Sequence, residues 1–229
     1  MRTAAQLAIF ALLGATSGPL LGQATPGTVQ TRKPAAVLAA REWDFNLTVD
    51  GYIIPDGTSY VNPVFTADHN WLHMEGRYND ENLRTGSLWF GYNYSHGDVE
   101  KGSSWEVDLA PMIGGVFGRT NGIAPGLEVT LNFKNKIDAS LTNEYVFDTT
   151  SKSGNFYYAW PQLTYSPLGW LQVGAVAQHT LAYHTPVSIQ RGFLVGVSHN
   201  AWELTTYVFN PGISGTTVVL ELGVSFKGR

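Results

Sequence analysis

The feature that most constrains the fold is an alternation of apolar and polar residues with a period of two. It is clearest from Trp43 to Asp50, where every odd-numbered residue is apolar and every even-numbered residue is polar. Similar runs recur nearly to the C-terminus, and no window of ten or more residues has helical periodicity. Because successive side chains of a strand point to opposite faces, the pattern predicts an all-β protein whose strands each have one apolar and one polar face.

Twelve alternating runs can be counted, and the links between them alternate in length. Tight links are predicted at 68–70, 134–136, 167–169 and 199–200, and longer ones at 51–57, 80–86, 116–122, 148–154, 183–189 and 211–215. Short turns at one rim and long loops at the other are typical of a closed antiparallel up-and-down transmembrane β-barrel, here of about twelve strands. Residues 95–103 should form a tight turn but are too numerous, so ten or fourteen strands also stay open.

Charge placement favours a membrane barrel over the alternative, a secreted soluble sandwich or lipocalin-like barrel. The apolar parity of the runs carries almost no ionised residue. The lysines after the leader occupy predicted links or follow the last run: Lys101, Lys134, Lys136, Lys152 and Lys227. Arg or Lys on the lipid face at mid-depth costs about 2–4 kcal/mol. Aromatic residues near strand ends are predicted to form the interfacial girdles.

The N-terminal residues are predicted to lie outside the barrel. Residues 1–24 have a short apolar run, from Ala4 to Gly14, and a small-x-small site at Gly22–Ala24, which is typical of a signal peptide. Residues 25–41 read as a periplasmic leader, and residues 42–229 as the barrel. The chain has no cysteine, and 18 acidic against 14 basic residues leave no basic field for nucleic acid.

The last run adds a resemblance to a protein family. Residues Glu221–Phe226 carry a polar residue, a glycine and alternating hydrophobics that end in an aromatic. This resembles the terminal-strand insertion signal of bacterial outer-membrane β-barrel proteins of the porin-like kind, without pointing to a subfamily; it departs from that signal in that Lys227, Gly228 and Arg229 follow. The resemblance implies an outer-membrane location, contact with its lipid and lipopolysaccharide, and assembly by the outer-membrane insertion machinery.

The polar parity, which would face the lumen, is strongly acidic. Arg77 is its one certain cation. The carboxylates on this parity are Asp44, Asp50, Glu75, Glu106, Asp108, Glu128, Asp138, Glu144, Glu203 and Glu221. Unpaired carboxylates are costly in a dry core, so a wet lumen is expected. The residues predicted to line a constriction are His73, Glu75, Arg77, Asn79, Glu106, Asp108, Glu128 and Glu144. The predicted lumen aromatics are Trp89, Tyr158, Trp160 and Tyr207, which could either stack on a solute or plug the bore.

These features predict a small porin-like channel for passive diffusion of cations or small polar solutes. One alternative is a plugged structural or adhesive barrel that acts through its outer loops. Another is an outer-membrane lipid hydrolase, but His179, the outward histidine it would need, has no serine two residues away. We therefore predict no enzyme, no catalytic residue and no cofactor. His73 and Glu75 supply only two neighbouring ligands, so no metal site is predicted.

Overall fold

A computed structural model describes residues 42–55, 57–182, 188–212 and 215–228. The predicted signal peptide and leader lie outside these residues. The strands are β1 (Trp43–Ile53), β2 (Tyr60–His69), β3 (Leu72–Tyr78), β4 (Thr85–Tyr92), β5 (Tyr94–Gly97), β6 (Trp105–Gly118), β7 (Gly122–Phe133), β8 (Ile137–Asp148), β9 (Phe156–Leu168), β10 (Leu171–Ala182), β11 (Ser188–His199), β12 (Trp202–Phe209) and β13 (Thr217–Gly228). One 3₁₀ turn spans Lys152–Gly154, and no helix among the described residues is long and apolar enough to cross a membrane.

The strands form one closed antiparallel sheet. Apart from β4 and β5, each pairs with its neighbours in chain order, and β1 pairs with β13 along its whole length, from Trp43 opposite Gly228 to Ile53 opposite Val218. The segments β4 and β5 both pair with β6 and are interrupted only at Asn93, so together they make one barrel strand. The structure is thus a twelve-stranded barrel, which confirms the predicted fold and strand count.

The irregular segment at 95–103 has a simple explanation. Residues Tyr94–Gly97 continue the fourth barrel strand, and the link that remains covers residues 98–104. Within it, Asp98 Oδ1 accepts a hydrogen bond from the backbone N–H of Lys101 at 3.0 Å, and the Lys101 ammonium lies 2.8 Å from Asp98 Oδ2. The link is a structured turn at the same rim as the other tight turns.

The two rims differ in the way that the sequence predicted, with one exception. At the rim that holds β1's first residue, called here the tight-turn end, two-residue links such as Asn70–Trp71 and Asn200–Ala201 join the strands. Asn70 and Asn200 have positive φ, which asparagine tolerates better than most residues. At the opposite rim, the long-loop end, the link expected at 116–122 has only three residues, 119–121, because β6 and β7 extend further than predicted.

The sidedness of the strands follows the predicted parity. Large apolar side chains of the outward parity, such as Phe90, Leu163 and Phe193, are about half exposed, whereas inward neighbours are mostly buried. Arg191, close to the long-loop end, is the single Asp, Glu, Lys or Arg that we find on the outward parity of the described strands. An exterior this apolar is the surface of a protein surrounded by hydrocarbon.

Tryptophan divides between an outer girdle and the interior. Five of the seven tryptophans lie on the outside near the tight-turn end: Trp43, Trp71, Trp105, Trp170 and Trp202. Such a belt sits at the level of lipid headgroups in membrane proteins. The other two, Trp89 and Trp160, point into the barrel and are buried. Lys227, expected after the last strand, belongs to β13, and its ammonium lies 3.7 Å from Asp44 at the exposed mouth.

Candidate functional site in the barrel lumen

The lumen is polar towards the tight-turn end and apolar towards the long-loop end. On several strands the inward row begins with polar residues at the tight-turn end and changes to apolar ones: on β9, for example, Thr164 and Gln162 are followed by Trp160, Tyr158 and Phe156. The same change occurs on β12, from Glu203 and Thr205 to Tyr207 and Phe209. The bore therefore consists of a polar vestibule and a hydrophobic layer.

Arg77 is the centre of a buried ion-pair network at the boundary between these two regions. Its guanidinium donates to Glu75 Oε2 at 2.6 Å through Nε, and through Nη1 to Asp80 Oδ2 and Glu144 Oε2, both at 3.0 Å. The face of the guanidinium lies 4.5 Å from the centre of the Trp89 ring, a cation–π distance. One buried cation therefore neutralises part of a group of carboxylates that come from separate strands and a loop.

His73 extends this network into the vestibule. Its Nδ1 lies 2.8 Å from Asp68 Oδ1, and its Nε2 lies 2.8 Å from Glu75 Oε1. Both ring nitrogens therefore face carboxylate oxygens, which are acceptors when ionised. Four predicted constriction residues, His73, Glu75, Arg77 and Glu144, are thus joined in one network.

Three other predicted constriction residues, Glu106, Asp108 and Glu128, also line the vestibule, and Glu128 places an oxygen within 4.8 Å of His73 and Glu75. Asp108 accepts a hydrogen bond from the Ser95 hydroxyl, and Glu106 Oε2 accepts a long one, 3.4 Å, from the backbone N–H of Val99. A small cavity lies between Asp108 and Glu128 on one side and His73 and Glu75 on the other. These side chains give the vestibule its acidic wall.

Asn79 does not occupy the inward strand position that its spacing predicted. Strand β3 ends at Tyr78, and Asn79 has a φ of +62° in the following turn. Its Nδ2 donates to the carbonyl of Val61 at 2.9 Å, and its Oδ1 accepts from the backbone N–H of Arg84 at 2.7 Å. Asn79 therefore shapes the β3–β4 loop, residues 79–84.

That loop carries two interior residues that sequence reasoning missed. Asp80 and Glu81 were assigned to an external loop, yet both are almost completely buried. Asp80 accepts from Asn62 Nδ2 at 2.8 Å, and Glu81 Oε1 accepts from Trp89 Nε1 at 3.1 Å. Burial raises the pKa of the Asp80 carboxyl to about 7, although Arg77 opposes the shift. The one available signal was the position of Asp80 three residues after the lone inward cation.

The predicted lumen aromatics pack against each other and not around an open bore. Trp89, Tyr158, Trp160 and Tyr207 are all at most 2% exposed. The Trp160 ring lies edge-on to Tyr207 and to Phe209, with centroid distances of 5.4 and 5.1 Å. We call Tyr158, Trp160, Tyr207 and Phe209 the aromatic layer. Around it, β1, β4 and each strand from β6 to β13 contribute buried apolar side chains, so the layer closes the bore in this conformation.

Two inward glycines make room for Trp89. A Cβ on Gly114 would clash with the Trp89 ring, and a Cβ on Gly126 would lie 2.9 Å from it. Glycine is thus required where the indole lies flat against the neighbouring strands. Residue 115, also glycine, has nothing within 4 Å of its hypothetical Cβ.

We expect Gly114→Ala to lower the free energy of unfolding by about 1–3 kcal/mol, the usual cost of overpacking. The matched control is Gly115→Ala, the same change one residue later, which should leave stability almost unchanged. Urea unfolding in detergent micelles, followed by tryptophan fluorescence, measures both. Equal losses of unfolding free energy in the two variants would contradict the proposed packing of Trp89 against Gly114.

His179, the residue considered for a lipid hydrolase, lies on β10 and packs edge-on against Tyr157, with a centroid distance of 5.8 Å. Its cross-strand partners are Ile189 and Ala159. These contacts describe an outward histidine among apolar neighbours.

Comparison with solved structures identifies the class of fold. The KdgM porin superposes with a TM-score of 0.52 at 13% sequence identity, covering 80% of this chain and 99% of that one. The KdgM porin in complex with disordered oligogalacturonate gives 0.54 at 13%, covering 79% and 99%. Pseudomonas aeruginosa OccK5 (OpdH) gives 0.43 at 8%, covering 81% and 67%. No protein-family model matches the sequence, and no curated protein matches it.

The fold is therefore that of bacterial outer-membrane porins, which confirms the predicted porin-like barrel. At 13% identity, the likeness concerns the fold. Which solutes this chain could pass must be inferred from the residues that line its own lumen.

Proposed function

We propose that this protein is a small-solute channel of the outer membrane whose acidic lumen favours cations and neutral polar solutes. The observation that carries the proposal is the vestibule wall, where Glu106, Asp108 and Glu128 point inward from β6 and β7 and outnumber the nearby basic side chain, His73. Rings of carboxylates raise the local concentration of cations and repel anions. Arg77 and His73, the basic inward side chains nearby, are already bound to carboxylates.

The same charge distribution argues against acidic sugars as solutes. One of the similar porins is described in complex with oligogalacturonate, a polyanion. A polyanion that entered the present vestibule would meet several carboxylates before reaching Arg77, which itself contacts Glu75, Asp80 and Glu144. We therefore infer a selectivity opposite to that of an anion-binding pore.

The aromatic layer sets the expected size of the conductance. Conduction requires its rings to move apart, because Tyr158, Trp160 and Phe209 leave no water-accessible surface of consequence between them. Buried side chains in contact rearrange rarely compared with exposed ones. Wild-type barrels should therefore show small and infrequent current steps.

Ion selectivity tests the proposal directly. In planar bilayers under a KCl gradient, the wild-type reversal potential should have the sign of a cation-selective pore. Glu106→Gln combined with Glu128→Gln should move it substantially towards zero, because two carboxylates of the vestibule wall are neutralised. Glu100→Gln, the same chemical change in the exposed link after β5, is the control. Anion selectivity, or an unchanged potential in the double variant, would refute the acidic-filter proposal.

A plugged structural barrel is the second candidate, and the closed aromatic layer favours it. In that case the outer loops would carry the function and the lumen would serve stability. Complete absence of current steps from wild-type protein, together with silence of a variant whose aromatic layer has been cut back, would support this candidate over the channel.

We also propose that the barrel contacts outer-membrane lipid and lipopolysaccharide and that the outer-membrane insertion machinery assembles it. The exposed apolar band supports the first, and the terminal-strand pattern at Glu221–Phe226 supports the second. That pattern lies in β13, the strand that closes the barrel against β1. Loss of folded protein from the outer membrane after Phe226→Asp would agree with recognition of this strand, whereas normal assembly would count against it.

A further inference from the structure

The interior contains more carboxylates than its basic groups can neutralise. Arg77 contacts Glu75, Asp80 and Glu144, and Glu81 lies close enough to affect the same guanidinium. His73 is shared between Asp68 and Glu75 and so contributes nothing to the other three. Isolated carboxylates in such a buried place are strongly unfavourable unless a proton or a cation accompanies them.

Three of these carboxylates converge on one point. Asp80 and Glu81, from the β3–β4 loop, and Glu144, from β8, each place an oxygen within 4.8 Å of the oxygens of the other two. All three residues are at most 2% exposed. We call Asp80, Glu81 and Glu144 the carboxylate triad.

Two oxygens of the triad have no hydrogen-bond partner. Asp80 uses both carboxylate oxygens, one towards Asn62 and one towards Arg77. In contrast, Glu81 Oε2 and Glu144 Oε1 are buried and accept no hydrogen bond. Tyr158 lies opposite Glu144 in the register of β8 and β9. Its hydroxyl is likewise buried without a hydrogen-bond partner. Unsatisfied buried acceptors of this kind indicate that something else binds there.

We propose that the carboxylate triad holds a divalent cation of the calcium type. Carboxylate and hydroxyl oxygens are the ligands of hard cations. Ca²⁺ binds oxygen at about 2.3–2.6 Å, so two ligands of one ion can be about 5 Å apart, whereas Mg²⁺ at about 2.0–2.1 Å requires a tighter group. A spread of up to 4.8 Å is compatible with ligation of the larger ion. Two positive charges would also offset the carboxylates that Arg77 leaves unneutralised.

The position of the triad gives the ion a structural consequence. It would bind the β3–β4 loop to β8 on the far side of Arg77, and so hold Asp80 and Glu81 inside the bore. The second cluster of possible ligands, His73, Glu75 and Glu128, is less suitable because both nitrogens of His73 and both oxygens of Glu75 already have partners. The cation would thus lie beside the aromatic layer and not in the vestibule.

Terbium luminescence tests the proposal, because Trp89 donates to Glu81 and would sensitise a bound Tb³⁺. The full mature barrel, folded in detergent and stripped with EDTA, should bind one Tb³⁺ that Ca²⁺ displaces. Glu81→Gln and Glu144→Gln should each weaken binding at least tenfold. Glu128→Gln, which removes a lumen carboxylate outside the triad, should bind as wild type does. Equal binding by all four proteins would overturn the proposal.

A second measurement needs no variant to fold. Ca²⁺ should raise the unfolding temperature of wild-type barrel by several degrees relative to EDTA, because a ligand of the native state stabilises it. Elemental analysis of protein folded with Ca²⁺ should find one ion per chain. No bound ion and no thermal shift would mean that protons neutralise the triad, and the cation site would be rejected. This result would leave the channel proposal intact, because ion selectivity is measured separately.

Discussion

Arg77→Met is expected to lower the free energy of unfolding by about 3–5 kcal/mol, the typical cost of removing one partner from a buried ion-pair network. Methionine keeps much of the volume of the side chain but removes its hydrogen bonds to Glu75, Asp80 and Glu144. Those carboxylates would then lack their shared cation. Denaturant unfolding in micelles, or the temperature at which the barrel loses its folded mobility in electrophoresis, measures the loss.

The control for Arg77→Met is Arg119→Met, because Arg119 is exposed in the link after β6. It should cost less than about 0.5 kcal/mol, as most surface substitutions do. Adding Glu144→Gln to Arg77→Met should recover part of the stability, because it removes one of the buried carboxylates that Arg77 no longer neutralises. A cost below about 1 kcal/mol for Arg77→Met would show that the network contributes little, and equal costs for the two arginine variants would contradict its central role.

Trp160→Ala is expected to have the second large effect, on both stability and current. The indole packs against Tyr207 and Phe209 and is almost fully buried, so truncation should cost about 3–5 kcal/mol. The space it leaves runs along the bore between the vestibule and the long-loop end. We therefore expect larger and more frequent current steps than in wild type.

The matched control for Trp160→Ala is Trp202→Ala, which removes an outward, exposed tryptophan from the girdle. It should leave conductance unchanged, although it weakens the anchoring at the membrane interface. Single-channel recording in planar bilayers compares both variants with wild type. If Trp160→Ala folds but shows no larger or more frequent current steps than wild type, the layer is not the barrier to conduction, and the plugged structural barrel becomes the better explanation.

The barrel itself was well predicted because a two-residue period has few alternative explanations. Leu88 and Phe90 must face lipid if Ser87 and Trp89 face the lumen, and a slip by one residue would exchange every side chain of the strand. The irregular fourth barrel strand was harder to predict. Its interruption at Asn93 and continuation through Gly97 depend on pairing with β6, which no local pattern reveals.

The positions of the lumen side chains were predicted in part, and their role as a constriction stays a prediction. The alternation identified His73, Glu75, Arg77 and Glu144 as inward residues, and the structure joins them in one network. Asp80 and Glu81 escaped notice because a short run of polar residues between two strands is typical of an exposed loop. Whether such a loop turns outward or folds into the bore depends on partners on other strands, here Asn62 for Asp80 and Trp89 for Glu81.

The direction in which each side chain points could be deduced from residue order. Lipid outside the barrel requires apolar side chains, and because side chains alternate along a strand, the residues between them must face the lumen. Whether that lumen is open could not be deduced from the sequence. It depends on the radius of a twelve-stranded cylinder and on which inward residues share a level. Trp89 lies over Gly114 because β4 and β6 are adjacent. Trp160 and Phe209 meet because closure of the barrel brings β9 and β12 together, and that packing closes the bore.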